Sequence, residues 1–271
     1  MMTFADVALA RRLERAEGAA CQQFAKARRR LEPEGGADWM EYAGAFVVFD
    51  GPDSPITQTF GLGISEPLTE KGLDTIEEFF RQRGAPVQHE VSPLAGVSAL
   101  DLLCARGYRP VEVSSVLYRP VEVQAPTVRG PVRGRVMDPA EVTVWSDISA
   151  RGWAQEQPDL LDFVREMGAI LAAREQTVCF LGEVDGVPGA AGALSLHEGI
   201  ALFAGAATVP EMRRRGLQGA LLEARMQYAA DQGCDLAMMV AEAGSNSQRN
   251  AERLGFRIAY TRTKWRLSKE D

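Results

Sequence analysis

The sequence predicts an α/β protein carrying two related copies of one domain. Three observations predict it. Apolar residues switch repeatedly between helical and strand spacing along the chain. A helix, strand, helix, strand order that begins near Leu73 returns near Leu217. An apolar run, Ala201 to Thr208, breaks at Val209-Pro210 into a basic loop, Arg213-Arg-Arg-Gly216, which then opens a helix.

Between Phe4 and Leu31 apolar residues recur at helical spacing with arginines and glutamates between them, so the chain opens on one long helix or on two broken near Gly18. Glu32-Pro-Glu-Gly-Gly36 ends it. Two strands follow, Tyr42 to Phe49 and Ile56 to Ile64, joined as a hairpin through the turn-forming Asp50-Gly-Pro-Asp-Ser-Pro55. Then come a helix ending near Arg81-Gln-Arg-Gly84, the strand Val87 to Val91, a helix stopping at Ala105-Arg-Gly-Tyr108, and a strand ending at Leu117-Tyr-Arg119.

Val121 to Gly134, with two prolines and two glycines, reads as a connection that holds a short strand, and places the domain boundary near residue 125. The second copy predicts helices around Pro139 to Gly152 and Pro158 to Ala173, then the strands Thr177 to Val184 and Gly189 to His197 about an Asp185-Gly186 turn. Glu198-Gly199 turns the chain into the strand that feeds the arginine loop. Beyond the loop, a helix ends near Asp231-Gln-Gly233, followed by the strand Leu236 to Val240, a serine-rich turn, a helix stopping at Arg253-Leu-Gly-Phe256, and a strand ending at Lys264-Trp-Arg266. Gly84 to Gly107 and Gly233 to Gly255 differ in length by a single residue, and both closing glycines precede an aromatic residue. A glycine ending on one helix would say little, since glycine is a common helix terminator. Order, spacing and flanking strands together point to duplication.

The bulk properties exclude several classes. With 271 residues, 46% apolar and 25% charged, the chain reads as soluble and globular. A net charge of −7 argues against a general nucleic-acid binder and makes any electropositive site local. Cys21, Cys104, Cys179 and Cys234 lack the short spacings of a zinc site or a disulfide framework, so reduced thiols and a cytoplasmic location are expected, with no metal. No apolar stretch approaches the roughly 20 residues that span a bilayer, and Met1 to Arg12 shows no signal-peptide pattern. A monomer or homodimer with no membrane partner is expected.

The arginine loop reads as an anion site. The first N–H groups of a helix have no intrahelical partner, and the helix dipole adds partial positive charge there. Gly216 and Gly219 let the backbone approach a ligand, and Arg213, Arg214 and Arg215 add charge. A P-loop would need Gly-Lys-Ser or Gly-Lys-Thr, and a dinucleotide fingerprint three glycines at fixed offsets; the loop supplies neither.

Val209-Pro210 followed by Arg213-Arg-Arg-Gly-Leu-Gln-Gly-Ala-Leu-Leu222 resembles motif A of the GNAT N-acetyltransferases, and the helix ending in Leu254-Gly-Phe256, with Asn246 and Asn250 ahead of it, resembles their motif B. The resemblance covers nearly all of residues 128 to 271, and the first copy is similar to a degenerate version of the same fold. It implies two tandem GNAT-like domains, 1–125 and 126–271, each a mixed, mainly antiparallel sheet flanked by helices. It implies acetyl-CoA as co-substrate and an amine of a small molecule or amino-acid-like acceptor as its partner. Ala207, Thr208 and Val209 would face the pantetheine and the acetyl carbonyl through main-chain groups. Arg213, Arg214, Arg215, Gly216, Leu217, Gln218 and Gly219 would wrap the pyrophosphate, and Asn246 or Asn250 would hold the pantetheine arm. Gln218 departs from the Gly or Ala usual at its position, although its amide can still offer an N–H to phosphate. In the first copy Glu66 and Glu70 stand where the arginines would be, so that copy is expected not to bind CoA.

The chemistry so implied is direct attack of an amine on the thioester, which needs a base, an oxyanion donor and an acid for the thiolate. The main-chain N–H near Val209 is the expected oxyanion donor. Ile200 to Thr208 contains no carboxylate, so Glu242 at the end of the next strand is the expected base, with His197 and Glu198 behind it. Ala251 occupies the position of the usual tyrosine acid, leaving Ser245, Ser247 or water. Trp153 and Phe163, like Trp145 and Trp265, are expected to pack into the core. A non-catalytic CoA-binding or interaction module is the alternative from a different class.

Overall fold

The computed structural model describes residues 4–122, 130–153, 159 and 161–268. The boundary expected near residue 125, and the start of the helix expected from Pro158, lie outside the described residues. In chain order the elements are α1 (Val7–Leu31), β1 (Asp38–Tyr42), β2 (Ala45–Phe49), β3 (Gln58–Phe60), α2 (Glu70–Arg81), β4 (Gln88–Val91), α3 (Val97–Ala105) and β5 (Tyr108–Pro120). They continue with β6 (Val132–Val136), α4 (Val142–Trp153), α5 (Leu161–Ala172), β7 (Thr177–Val184), β8 (Val187–His197), β9 (Ile200–Thr208), α6 (Leu217–Asp231), β10 (Leu236–Glu242), α7 (Asn246–Arg253) and β11 (Arg257–Leu267). Contacts divide the chain into two compact units, Met1–Arg119 with Met238–Asp271, and Pro120–Ala237. None of the described helices is long and apolar enough to cross a membrane.

In the first unit α1 is one helix. Asp6 caps it by accepting from the Leu9 N–H at 2.9 Å, and the helix runs through Gly18 because a Cβ there would overlap the ring of Phe46 on β2. Gly18 is thus a packing residue, not a break. Gly18→Ala, which favours the helix by about 1 kcal/mol on propensity alone, is expected to destabilise the protein by roughly 1–3 kcal/mol because overpacking wins, as denaturant titration would show.

The expected strand Tyr42 to Phe49 is instead two strands, β1 and β2, joined through Ala43 and Gly44 with φ of 50° and 77°. That is the double left-handed turn of a tight hairpin, and alanine is an unusual residue to supply it. The Asp185-Gly186 and Glu198-Gly199 hairpins repeat the same signs of φ. β2 pairs antiparallel with β3, as the predicted hairpin requires.

The sheet of the first unit runs β1-β2-β3-β4-β11-β5-β10. β3 and β4 are parallel and meet at the single pair Thr59 and His89; β11 is antiparallel to both β4 and β5. The last strand of the second sequence copy therefore lies between two strands of the first, and β5, the last of the first copy, lies between β11 and β10. Repeat and packing divide the chain differently for this reason.

An ionic cluster marks the exchange. Arg262 on β11, 1% exposed, reaches Glu14 at 3.0 Å and Glu17 at 2.6 Å on α1, and Glu90 at 3.2 Å on β4. The Glu17 and Glu90 oxygens in these pairs approach by charge without hydrogen-bond alignment. The Tyr260 hydroxyl donates to Glu14 at 2.9 Å, and Lys264 pairs with Glu90 and Glu112. Beneath α2, His89 and the Tyr108 hydroxyl lie 2.9 Å apart, and Tyr108 donates to Glu77 at 3.1 Å.

The second unit is an antiparallel sheet of order β9-β8-β7-β6. α6 covers one face, where Tyr228 meets Phe180 edge-on at 5.7 Å; α4 lies on the other against β8 and β9, with α5 packed on it. The Trp145 indole is fully buried, as expected.

Candidate functional site

The candidate site lies where β9 runs out into α6. After Thr208 the chain makes a short turn, Pro210–Met212, that buries Met212 against Gly189, where a Cβ would overlap its sulfur. Arg214 then takes φ of 61° and Gly216 φ of 87°, and α6 begins. Leu217 and Leu221 bury themselves and fix the helix start. No side chain caps this helix at Gly216, so its first N–H groups face outward unpartnered by a cap. Arg214 and Arg215 are exposed and form no ion pair among the described residues. Arg213 instead folds back, its guanidinium donating to the Thr208 carbonyl at 3.3 Å and the Gly152 carbonyl at 3.4 Å. Two of the three arginines thus stand free beside a bare helix N-terminus.

A β-bulge shapes the strand that leads here. Ala191 on β8 faces Ala207, but Ala193 faces Ala204, so β9 carries one extra residue, accommodated by Gly205 at φ of 61°. Beyond the bulge the Val209 N–H donates to the Gly189 carbonyl at 3.0 Å. Val209 therefore cannot be the oxyanion donor expected from the sequence, because its N–H is committed within the sheet. Residues alternate between facing the neighbouring strand and turning from it in an antiparallel pair. Thr208, one residue earlier and paired with Ala190, accordingly turns its N–H away from β8. Ala207 and Thr208 are both buried, and a Cβ on Gly152 at the end of α4 would overlap that of Ala207.

Gln218 is exposed, but its amide is partly committed. Its amide donates to the Thr208 hydroxyl at 2.6 Å, tying the first turn of α6 to the end of β9, so one of its two N–H groups is spent. Gly219 is half-buried on the same turn. Trp153 and Phe163, expected in the core, are 58% and 37% exposed. α5 packs chiefly on α4, with Gly168 against Ser146, and buries only Gly168 and Ile170; Phe163 stands on its outer side. His197 and Glu198 are 3.8 Å apart at the β8–β9 turn. Glu242, Asn246 and Asn250 belong to the first unit, at the end of β10 and on α7, and all three are exposed. Ser245 caps α7 by accepting from Gln248, and Asn246 accepts from Arg249. Ala251 is buried, so no acid replaces the missing tyrosine at that position.

The first copy offers a direct contrast at the corresponding helix, α2. Thr69 caps it, accepting from the Gly72 N–H at 3.1 Å. Glu70 occupies its first turn, and the Tyr42 ring stands 3.1 Å from where a Gly72 Cβ would be. A helix start that is capped, acidic and covered repels an anion. The start of α2 is thus capped by a side chain and acidic, and that of α6 is neither.

The acetyltransferase (GNAT) family model matches residues 143–256, which include the bulge, the loop and α6. That stretch is a GNAT domain. Solved structures agree along its whole length. A GCN5-related N-acetyltransferase from Kribbella flavida superposes with a TM-score of 0.61 at 18% identity, over 91% of this chain and 96% of that one. Another from Sphaerobacter thermophilus gives 0.55 at 17%, over 97% and 91%. A tandem GNAT protein from the clavulanic acid biosynthesis pathway gives 0.59 at 12%, over 99% and 98%. A comparison with curated protein sequences finds no match. The architecture is thus that of tandem GNAT-like domains with mixed, mainly antiparallel sheets, and the GNAT fold is one of acyl-CoA-dependent acetyl transfer. Gly205 is the residue the sequence reading passed over: an isolated glycine inside a strand pattern is a signal for a bulge.

Proposed function

We propose that residues 126–271 bind acetyl-CoA through the loop between β9 and α6 and transfer its acetyl group to a primary amine of a small molecule or amino-acid-like acceptor by direct attack. Residues 1–125 form a degenerate copy that does not bind CoA. The observation that carries this reading is the uncapped start of α6, flanked by Arg214 and Arg215, set against the capped and acidic start of α2. The pyrophosphate would accept from the N–H groups of Leu217, Gln218 and Gly219, with Gly216 allowing close approach. Thr208 N–H would receive the thioester oxygen as it gains charge. Glu242 remains the proposed base, checked by comparing Glu242→Gln with the parent protein across pH; water serves as proton donor to the thiolate.

The test is a thermal melt with and without acetyl-CoA, followed by thiol release across a panel of amines. A ligand-dependent rise in Tm, as linkage requires of any ligand that binds only the folded state, and amine-dependent thiol release are expected. Binding without turnover on any amine would favour a CoA-binding module without catalysis, a reading to which the buried Ala251 and the carboxylate-free β9 lend weight.

A further inference from the structure

Arg225 lies on α6, two turns beyond the loop, and is 2% exposed. No carboxylate partners it among the described residues, and burial lowers its pKa to about 10, so it stays charged at neutral pH. A buried unpaired cation is costly, and its contacts show what it holds. Nε donates to the Leu221 carbonyl of its own helix at 3.2 Å, and Nη1 to the Ala193 carbonyl on β8 at 3.4 Å. The guanidinium lies over the Phe203 ring of β9 at 4.8 Å, a cation–π contact. It reaches the strand because residue 192 is glycine: a Cβ there would stand 3.3 Å from Cζ and Nη1. One side chain therefore touches α6, β8 and β9 at the bulge.

From the other face Trp145 does the complementary work. Its Nε1 donates to the Gly192 carbonyl at 3.2 Å and to the Phe180 carbonyl, opposite it on β7, at 3.1 Å. Adjacent carbonyls of β8, at 192 and 193, are thus held by an indole from one face and a guanidinium from the other, at the point where β8 and β9 change register. A bulge leaves ladder groups without strand partners and re-aims the residues that follow. Here those are Ala207, Thr208 and Val209.

We propose that Arg225 is a positioning residue for acyl transfer: with Trp145 it fixes the bulge between β8 and β9 and so aims the Thr208 N–H at the thioester carbonyl. This rests on the acetyl-CoA reading above. Arg225 touches neither cofactor nor acceptor; it acts through the strand.

The test separates aim from affinity. Acetyl-CoA labelled with 13C at the carbonyl reports the hydrogen bond to that oxygen as a shift between free and bound resonances, while calorimetry with CoA reports the pyrophosphate contacts. In Arg225→Met the bound carbonyl resonance is expected to move back towards its free position while the Kd for CoA changes by less than about threefold. Trp145→Phe, which removes the donor from the opposite face and keeps a ring in the core, is expected to shift the resonance in the same direction. It decides the matter if Arg225→Met does not fold. Arg225→Lys, retaining the charge, is expected to recover part of the shift. A carbonyl resonance unchanged from the parent in the folded variants would overturn the proposal, and so would a parallel loss of CoA affinity, which would mark Arg225 as general scaffold. Failure of the parent protein to bind acetyl-CoA would instead refute the proposed function itself.

Discussion

Arg214→Ala combined with Arg215→Ala is expected to weaken acetyl-CoA binding by roughly 30-fold at low ionic strength, the equivalent of about 1 kcal/mol for each exposed phosphate contact. Both side chains stand outside the fold, without ion pairs among the described residues, so their loss frees no buried acid and the Tm without ligand is expected to stay put. The effect belongs to the pyrophosphate. Acetyl-pantetheine, which has none, is expected to bind parent and variant alike, and raising the salt concentration is expected to shrink the difference for acetyl-CoA by screening. Isothermal calorimetry with both ligands at two salt concentrations checks each arm. If the double variant binds acetyl-CoA as tightly as the parent, the loop is not the phosphate cradle. Arg213→Ala is a different experiment, because Arg213 holds the carbonyls of Thr208 and Gly152 and its loss disturbs the strand end itself.

Much of the fold around this loop is legible in the sequence, and the reasons are local. A strand period, a proline, three consecutive arginines and the glycines at 216 and 219 specify strand, turn and helix start through backbone chemistry alone. Hairpins with Asp-Gly and Glu-Gly turns were legible for the same reason. The Ala43-Gly44 turn was not, since alanine rarely signals positive φ and β1 runs into β2 without a polar break. Other features depend on what lies across the sheet. That the Val209 N–H is committed follows from its register against Gly189, which no spacing within β9 reveals. Gln218 was free to face a phosphate in the sequence, and only packing shows its amide on Thr208. The inward pattern of aromatic residues misled at Phe163 because α5 rests on another helix, so that little of its surface is covered, and at Trp153 because it is the last residue of α4. The exchange of β5 and β11 is the most non-local feature of all, and the repeat that located the two copies gave no sign of it.

Arg262 is where that exchange is most open to attack. Its guanidinium serves Glu14, Glu17 and Glu90, two of them reached on α1 from the far end of the chain. Arg262→Met would leave these carboxylates, among the described residues, with Lys264 and the Tyr260 hydroxyl. Breaking a buried ion pair by removing one partner costs about 3–5 kcal/mol, because the remaining charge stays desolvated; for a chain of this length a loss of the order of 10 °C in Tm is expected. The dependence on pH gives the cause away. Burial raises the pKa of Glu14 and of Glu90, against the pull of Arg262. An acid whose pKa is higher folded than unfolded contributes stability that is full below the unfolded value, near 4.3, and is lost as pH rises through the folded value. Without Arg262 both folded values climb further, so acidification from neutral pH neutralises the stranded carboxylates and the gap between variant and parent narrows. His89, held at about 3 by burial, works the other way: its share is present above 6.5 and fades as pH falls. That share is common to both proteins and cancels in the difference. Melts of Arg262→Met and parent at pH 8 and pH 5.5 therefore read the cluster directly. A gap of equal size at both would show that Arg262 stabilises β11 by packing and not by its charge. Arg262→Met with Glu14→Gln is expected to recover part of the loss at pH 8, since it removes one of the charges that the single variant leaves buried.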